Sequence, residues 1–177
     1  MKISSLPEIE EIMILQVKKL YPNSKEPTQV YDDDVGYDLY ANLDSSNTVG
    51  NVITVYYSDV LRSRQEERRY IDIEQGKVYK IGTGIAALPE SGYFCKIEDR
   101  SGMGSKGCRT LAGLIDKYTG EFIVVISNVS NTPFKIYDGD KFAQFVIHKK
   151  YPHKTVIVDE LEKTERGANG FGSSGQQ

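Results

Sequence analysis

Glu98-Asp-Arg-Ser-Gly-Met-Gly-Ser-Lys-Gly107, then Leu111-Ala-Gly-Leu-Ile-Asp-Lys-Tyr-Thr-Gly-Glu121 and Phe122-Ile-Val-Val-Ile-Ser-Asn128, is the stretch on which the reading of this chain turns. It opens on an Arg-Ser-Gly turn rich in hydrogen-bond donors. It passes through a short apolar run that ends on one acid, Asp116. It turns tightly at Tyr118-Thr-Gly and leaves as a β-branched strand. Phosphate recognition needs backbone N–H groups, hydroxyls and a guanidinium converging on one point, and water activation needs a fixed carboxylate nearby. Each feature alone is more often a structural turn than a site. Their order is what points to chemistry.

Short β-type runs recur on both sides of this stretch. Ile71 and Ile73 alternate, and Val78 to Ile85 reads as one strand with two glycines. Tyr93–Ile97, Phe122–Ile126, Phe134–Ile136, Phe142–His148 and Thr155–Val158 follow, with turns at Glu74–Gly76 and Pro89–Gly92. Low helical content and dense turn signals predict an all-β domain, sandwich or barrel. The first 20 residues carry both periods: Ile9, Ile12, Met13, Gln16, Val17 and Leu20 fit a helical stripe, while Met13, Leu15 and Val17 alternate. The expectation is a helical turn over Ser5–Glu11 and a strand over Ile12–Leu20. Tyr21–Asp33 reads as a loop with two prolines that runs into the acids Asp32, Asp33 and Asp34.

A length of 177 residues suits one domain with a real core. A net charge of −3 argues against a nucleic-acid partner, which would call for a cationic excess. No apolar stretch approaches the length of a membrane-spanning helix, and the N-terminus lacks the layout of a signal peptide. The two cysteines, Cys95 in a strand-like run and Cys108 in a loop, have no metal-ligand spacing and read as free thiols of an intracellular protein. The expected location is the cytoplasm, or the nucleus in a eukaryotic or viral setting. His148 and His153 read as surface residues. Residues 44–69 interrupt the pattern: a turn-rich start, a strand at Val52–Tyr57, then the mixed-charge run Ser63–Arg69. This segment reads as an inserted hairpin of roughly 20 residues, decoration or a protein-contact site, since loops accept insertions at little cost.

Five motifs stand in order. They are Asp34-Val-Gly-Tyr-Asp-Leu-Tyr-Ala41, Arg100-Ser-Gly-Met-Gly-Ser-Lys106, Ala112-Gly-Leu-Ile-Asp-Lys-Tyr-Thr-Gly-Glu121, Gly139-Asp-Lys-Phe-Ala-Gln144 and Thr164-Glu-Arg-Gly-Ala-Asn-Gly-Phe-Gly-Ser-Ser-Gly175. Together they resemble the five motifs of the trimeric deoxyuridine triphosphatases (dUTPases). The resemblance implies a distorted jelly roll or β-barrel over residues 1–162, with a C-terminal arm over residues 163–177. It implies a homotrimer and hydrolysis of dUTP to dUMP and pyrophosphate with Mg2+. Asp116 would be the general base. Arg100, Ser101 and Gly102 would hold the phosphates, and Gln144 would bind phosphate or metal-bound water. Asp34 and Asp38 would hold the metal through water. The main chain around Leu114 and Ile115 would read uracil, with Tyr118 under the deoxyribose. On the arm, Arg166 would reach the γ-phosphate and Phe171 would stack on uracil, with Gly172 and Ser173 beside it.

The chain departs from the family pattern at four points. The Arg100–Asp116 connection is shorter than usual, and an asparagine often found before the third motif has no counterpart. One residue separates Asp116 from Tyr118, where the family usually has two, and Lys141 stands where an arginine is usual. Two other readings share the fold. A deoxycytidine triphosphate deaminase would need a glutamate at the position matching Val125. A non-catalytic, regulatory nucleotide-binding protein would tolerate loss of Asp116, Arg166 or Phe171, and all three are present.

Overall fold

The computed structural model describes residues 12–59 and 64–168, without the side chains of 55–59 and 64–66. The expected Ser5–Glu11 turn, and Phe171, Gly172 and Ser173, lie outside the described residues. The strands in chain order are β1 (Leu15–Lys19), β2 (Gly36–Tyr40), β3 (Val52–Asp59), β4 (Arg64–Ile73), β5 (Val78–Gly82) and β6 (Ile85–Pro89), then β7 (Tyr93–Asp99). One helical turn follows, α1 (Ser101–Gly104), and then β8 (Cys108–Leu111), β9 (Leu114–Ile115), β10 (Ile123–Asn128), β11 (Phe134–Tyr137) and β12 (Lys141–Lys149). They form four sheets with orders β2-β12-β7-β9, β5-β10-β8, β11-β4-β3 and β1-β6, antiparallel throughout. The architecture is all-β, of the jelly-roll type.

Alternation along the strands builds the core. On β10 the pattern runs half-buried, buried, half-buried, which sends Val124 and Ile126 inward. Phe145 on β12 stacks on its cross-strand neighbour Tyr37, with centroids 5.1 Å apart, and meets the edge of Phe122 at 5.6 Å. Such aromatic pairs each add about 1 kcal/mol beyond the area they bury. Asn128 is fully buried, and all its side-chain bonds are spent locally. Its Nδ2 donates to the carbonyls of Ile73 and Thr132 at 2.9 and 2.8 Å, and its Oδ1 accepts from the Ser130 N–H and hydroxyl at 2.9 and 2.7 Å.

The strand expected over Val78–Ile85 is two strands. Gly84 has φ +71°, and a Cβ there would lie 2.3 Å from Ser24 Oγ. The chain therefore breaks at Thr83-Gly84 and passes from the β10 sheet to pair with β1. Cys108 lies in β8, not in a loop, and Cys108 and Cys95 are both buried free thiols. Burial pushes each thiol from its ordinary value of 9.0 up to about 11. The run Arg64–Arg69 is strand, paired residue by residue with β3. Its mixed-charge sequence has no apolar alternation, and the pairing with β3 is what marks it as strand. Thr155–Val158 forms no strand, and Val156, Ile157 and Val158 stay 67%, 96% and 52% exposed. His148 and His153 are on the surface, with His148 stacked on Phe94 at 5.2 Å.

Candidate active site

The site forms where β2, β12 and the end of β7 meet. Pairing sets Asp38 opposite Gln144 and Gly36 opposite Val146, and Gln144 opposite Glu98 of β7. With a side-chain period of two, Gly36, Asp38, Gln144 and Val146 share one face, while Tyr37, Leu39 and Phe145 point into the core. Arg100 follows β7 directly. Its Nε donates to Asp38 Oδ1 at 2.6 Å and its Nη1 to the Lys141 carbonyl at 3.0 Å. Lys141 Nζ takes the other carboxylate oxygen, Asp38 Oδ2, at 2.8 Å. The hydrogen bond to Asp38 raises the Lys141 pKa, so that ammonium stays charged. Asp38 therefore anchors two cations, and the rest of the Arg100 fork remains for an anion.

Gln144 Nε2 donates to the Asp99 carbonyl at 2.8 Å. A Cβ on Gly36 would fall 2.3 Å from Gln144 Oε1. Gly36 lies in a strand, so its glycine serves Gln144 rather than a bend. Asp34 closes its own turn, with Oδ2 accepting the N–H groups of Val30 and Tyr31 at 3.0 Å each. Ser101 and Gly102 are exposed at the start of α1, where first-turn N–H groups lack helical partners. A Cβ on Gly102 would meet nothing within 4 Å, so packing within the chain does not ask for glycine there. These residues surround a pocket of about 590 Å³, lined by Asp34, Asp38, Arg100, Ser101, Gly102 and Gln144 together with Gly36 and the valines Val30, Val35 and Val146.

Six of the residues expected from the sequence thus come together. The valines were missed. Only Val146 carried a signal, its spacing of two from Gln144. Leu114, Ile115, Asp116 and Tyr118 lie elsewhere. Ile115 pairs with Cys95, which sets Asp116 beside the Phe94 end of β7, while Arg100 leaves the other end. The six steps from Phe94 to Arg100, at ~3.3 Å each, separate the two groups by roughly 20 Å. Arg166 sits in an exposed turn, where the Gly167 N–H bonds the Thr164 carbonyl at 3.0 Å, outside the residues that line the pocket.

The sequence model of the dUTPase family matches residues 61–175. Deoxyuridine 5'-triphosphate nucleotidohydrolase of Nautilia profundicola is 33% identical over 168 residues, which is 93% of this chain and 100% of that protein. The chain belongs to the dUTPase family. The fold agrees: Staphylococcus bacteriophage 80alpha dUTPase with dUPNHPP superposes with a TM-score of 0.69 at 24% identity, over 92% of this chain and 99% of that one. A mutant dUTPase of phage phi11 of S. aureus, described as revealing the coordination of a structural Mg(II) ion, does so at 0.63 and 22%, over 85% and 99%. The pocket gathers residues of the first, second and fourth motifs, and the third-motif residues lie apart from it. Val125, where a deaminase would need its glutamate, lies on β10 opposite Lys80 and Leu111 and offers no carboxylate.

Proposed function

We propose that this chain hydrolyses dUTP to dUMP and pyrophosphate. In a dUTPase chain, the observation that carries the reading is the Arg100 guanidinium, fixed by Asp38 at a pocket that also holds Ser101, Gly102 and Gln144. Arg100 and the Ser101–Gly102 N–H groups bind the triphosphate, and the Ser101 hydroxyl stands near the leaving-group oxygen. Water attacks the α-phosphorus, a new P–O bond forms, and the α–β bridging bond breaks with pyrophosphate leaving. The water proton passes to the Asp116 carboxylate. Lys141 keeps Asp38 from drawing on Arg100 alone, so the guanidinium can charge-pair with the substrate.

Asp116 cannot serve the Arg100 of its own chain across roughly 20 Å. The site is therefore completed by a second copy, whose Asp116 and Tyr118 face this pocket. A homotrimer gives every pocket such a partner, since head-to-tail contacts close into a ring. The exposed β-type run Val156–Val158, with no strand partner among the described residues, supports assembly, because such residues suit pairing with another chain. On the shared hairpin, main chain near Leu114 and Ile115 reads uracil and Tyr118 leaves no room for a 2′-hydroxyl. The arm, with Arg166 and Phe171, closes the pocket against bulk water.

Mg2+ fits this donor set in one way. Among the described residues no three His, Cys, Asp or Glu side chains cluster to hold a metal, and both oxygens of Asp38 are engaged. Asp34, with no hydrogen bond to Oδ1 among the described residues, is the carboxylate left to hold a hydrated Mg2+ together with the substrate phosphates, the arrangement this ion prefers. Held there by Asp34 and the substrate phosphates, Mg2+ would supply positive charge against the triphosphate.

The test is pyrophosphate release from dUTP, dCTP, dTTP and UTP, each with Mg2+ and with chelator. Rapid, Mg2+-dependent release from dUTP alone is the expected result. No release from any nucleotide contradicts the reading.

A further inference from the structure

Glu121 is a buried ionisable side chain that the chemistry above does not use. It is 5% exposed and directly follows Gly120 of the Tyr118-Thr-Gly turn. Its Oε2 accepts from the Ser45 hydroxyl at 2.8 Å and from Asn47 Nδ2 at 2.6 Å, and its Oε1 accepts the Gly84 N–H at 2.7 Å. All three donors are neutral, and Glu121 forms no ion pair among the described residues. A carboxylate out of water is costly unless several donors hold it. The chain is shaped to supply them. A Cβ on Gly82 would lie 2.1 Å from Ser45 Oγ and 2.6 Å from Glu121 Oε1. Thr83 Oγ1 donates to the neighbouring Phe122 carbonyl at 2.7 Å.

This arrangement fixes one end of the hairpin Asp116–Gly120. Its other end is β9, paired to β7. Beyond Glu121, Phe122 is fully buried and its N–H bonds the Ile85 carbonyl at 2.8 Å. Between the two anchors Tyr118 folds back on the turn: a Cβ on Gly120 would sit 2.1 Å from the Tyr118 hydroxyl. The Tyr118 phenol thus closes on the residue next to Glu121.

We propose that Glu121 is a positioning residue for substrate selection, which by holding Gly120 against the Ser45–Asn47 loop fixes the Tyr118 ring and with it the discrimination between deoxyribose and ribose. Glu121 does not touch substrate. The inference rests on the dUTP reading and on the role given there to Tyr118.

The experiment uses the full chain and compares Glu121→Gln, Asn47→Ala and Tyr118→Ala, singly and with Glu121→Gln combined with Tyr118→Ala. The readouts are kcat and KM for pyrophosphate release from dUTP and from UTP, with thermal unfolding alongside. Glutamine turns an amide NH2 either toward the Gly84 N–H or toward Ser45 and Asn47 together, so at least one donor loses its acceptor. The preference for dUTP over UTP in kcat/KM is expected to fall on the order of tenfold in Glu121→Gln and severalfold in Asn47→Ala, mainly through KM. In the Tyr118→Ala background Glu121→Gln should cost no further preference, since the two act as a unit. An unchanged preference in folded Glu121→Gln, or a full additional loss in the double variant, overturns the inference. Should Glu121→Gln fail to fold, an unchanged preference in Asn47→Ala overturns it alone. A wild-type chain inactive on dUTP contradicts the underlying reading instead, and is seen before any variant is compared.

Discussion

Asp38 carries two cations on one carboxylate, and under the proposed function the phosphate end of the site depends on it. Asp38→Asn weakens the hold on Arg100 and Lys141 together. Steady-state pyrophosphate release should fall at least ~100-fold in kcat/KM, and thermal unfolding should show a loss of roughly 1–3 kcal/mol from the half-buried pair with Arg100. An Asp38→Asn enzyme with normal KM and kcat would remove the anchor from the mechanism. Gly36→Ala tests the same corner by size. The new methyl meets the far end of Gln144, which can swing away, so stability should change by less than ~1 kcal/mol while KM rises on the order of tenfold as the amide is displaced. The motif Asp34–Ala41 marks Gly36 and Asp38 for attention. It does not show that one makes space for Gln144 and the other clamps Arg100, because both facts arise from a pairing between strands far apart in sequence. The buried thiols give a pH prediction. With their pKa values raised from 9.0 to about 11, Cys95 and Cys108 keep protons in the folded chain that the unfolded chain releases between those values. Their contribution to stability is full below pH 9 and lost as pH rises toward 11. Thiol-reactive dye should label neither cysteine in the native protein at about pH 8 and both after denaturation. Rapid native labelling would contradict their burial.

At the scale of elements, the strand series was legible where alternation met a buried face, as in β7, β10 and β12. It failed in several places, and three of them show the physical reason. Val78–Ile85 divides at Gly84 because the backbone there must turn into the β1 sheet. The β3–β4 pairing forms the hairpin expected in segment 44–69, but the second strand, over Arg64–Arg69, has no apolar alternation by which its own sequence would mark it. Thr155–Val158 has strand composition and no strand partner among the described residues. The described part of the C-terminal segment, Tyr151 onward, is exposed throughout, so the chain's own core does not need it. Truncation after Lys163 should leave the unfolding midpoint within a few degrees of the full chain and lower kcat at least ~100-fold, because pocket closure is lost. A truncated protein with normal turnover would remove the arm from the chemistry.

For the whole molecule, the sequence places Arg100 and Asp116 close together and the fold pulls them apart along β7. Five motifs in order identify the family without revealing that Arg100 and Asp116 lie toward opposite ends of β7. That division is a property of sheet register, which no single motif carries. Under the proposed function, assembly becomes a condition of catalysis, and two inactive chains should rescue each other. The direct measurement is dUTP turnover after Arg100→Ala and Asp116→Asn chains are mixed, unfolded and refolded together, with each variant refolded alone as the control. If the pocket of one copy is served by the Asp116 of another, about one quarter of the sites in a random mixture pair an intact Arg100 with an intact Asp116, and activity should return to about that fraction of wild type. Mixtures no more active than the separate variants would show that each chain works alone, and would contradict the shared site.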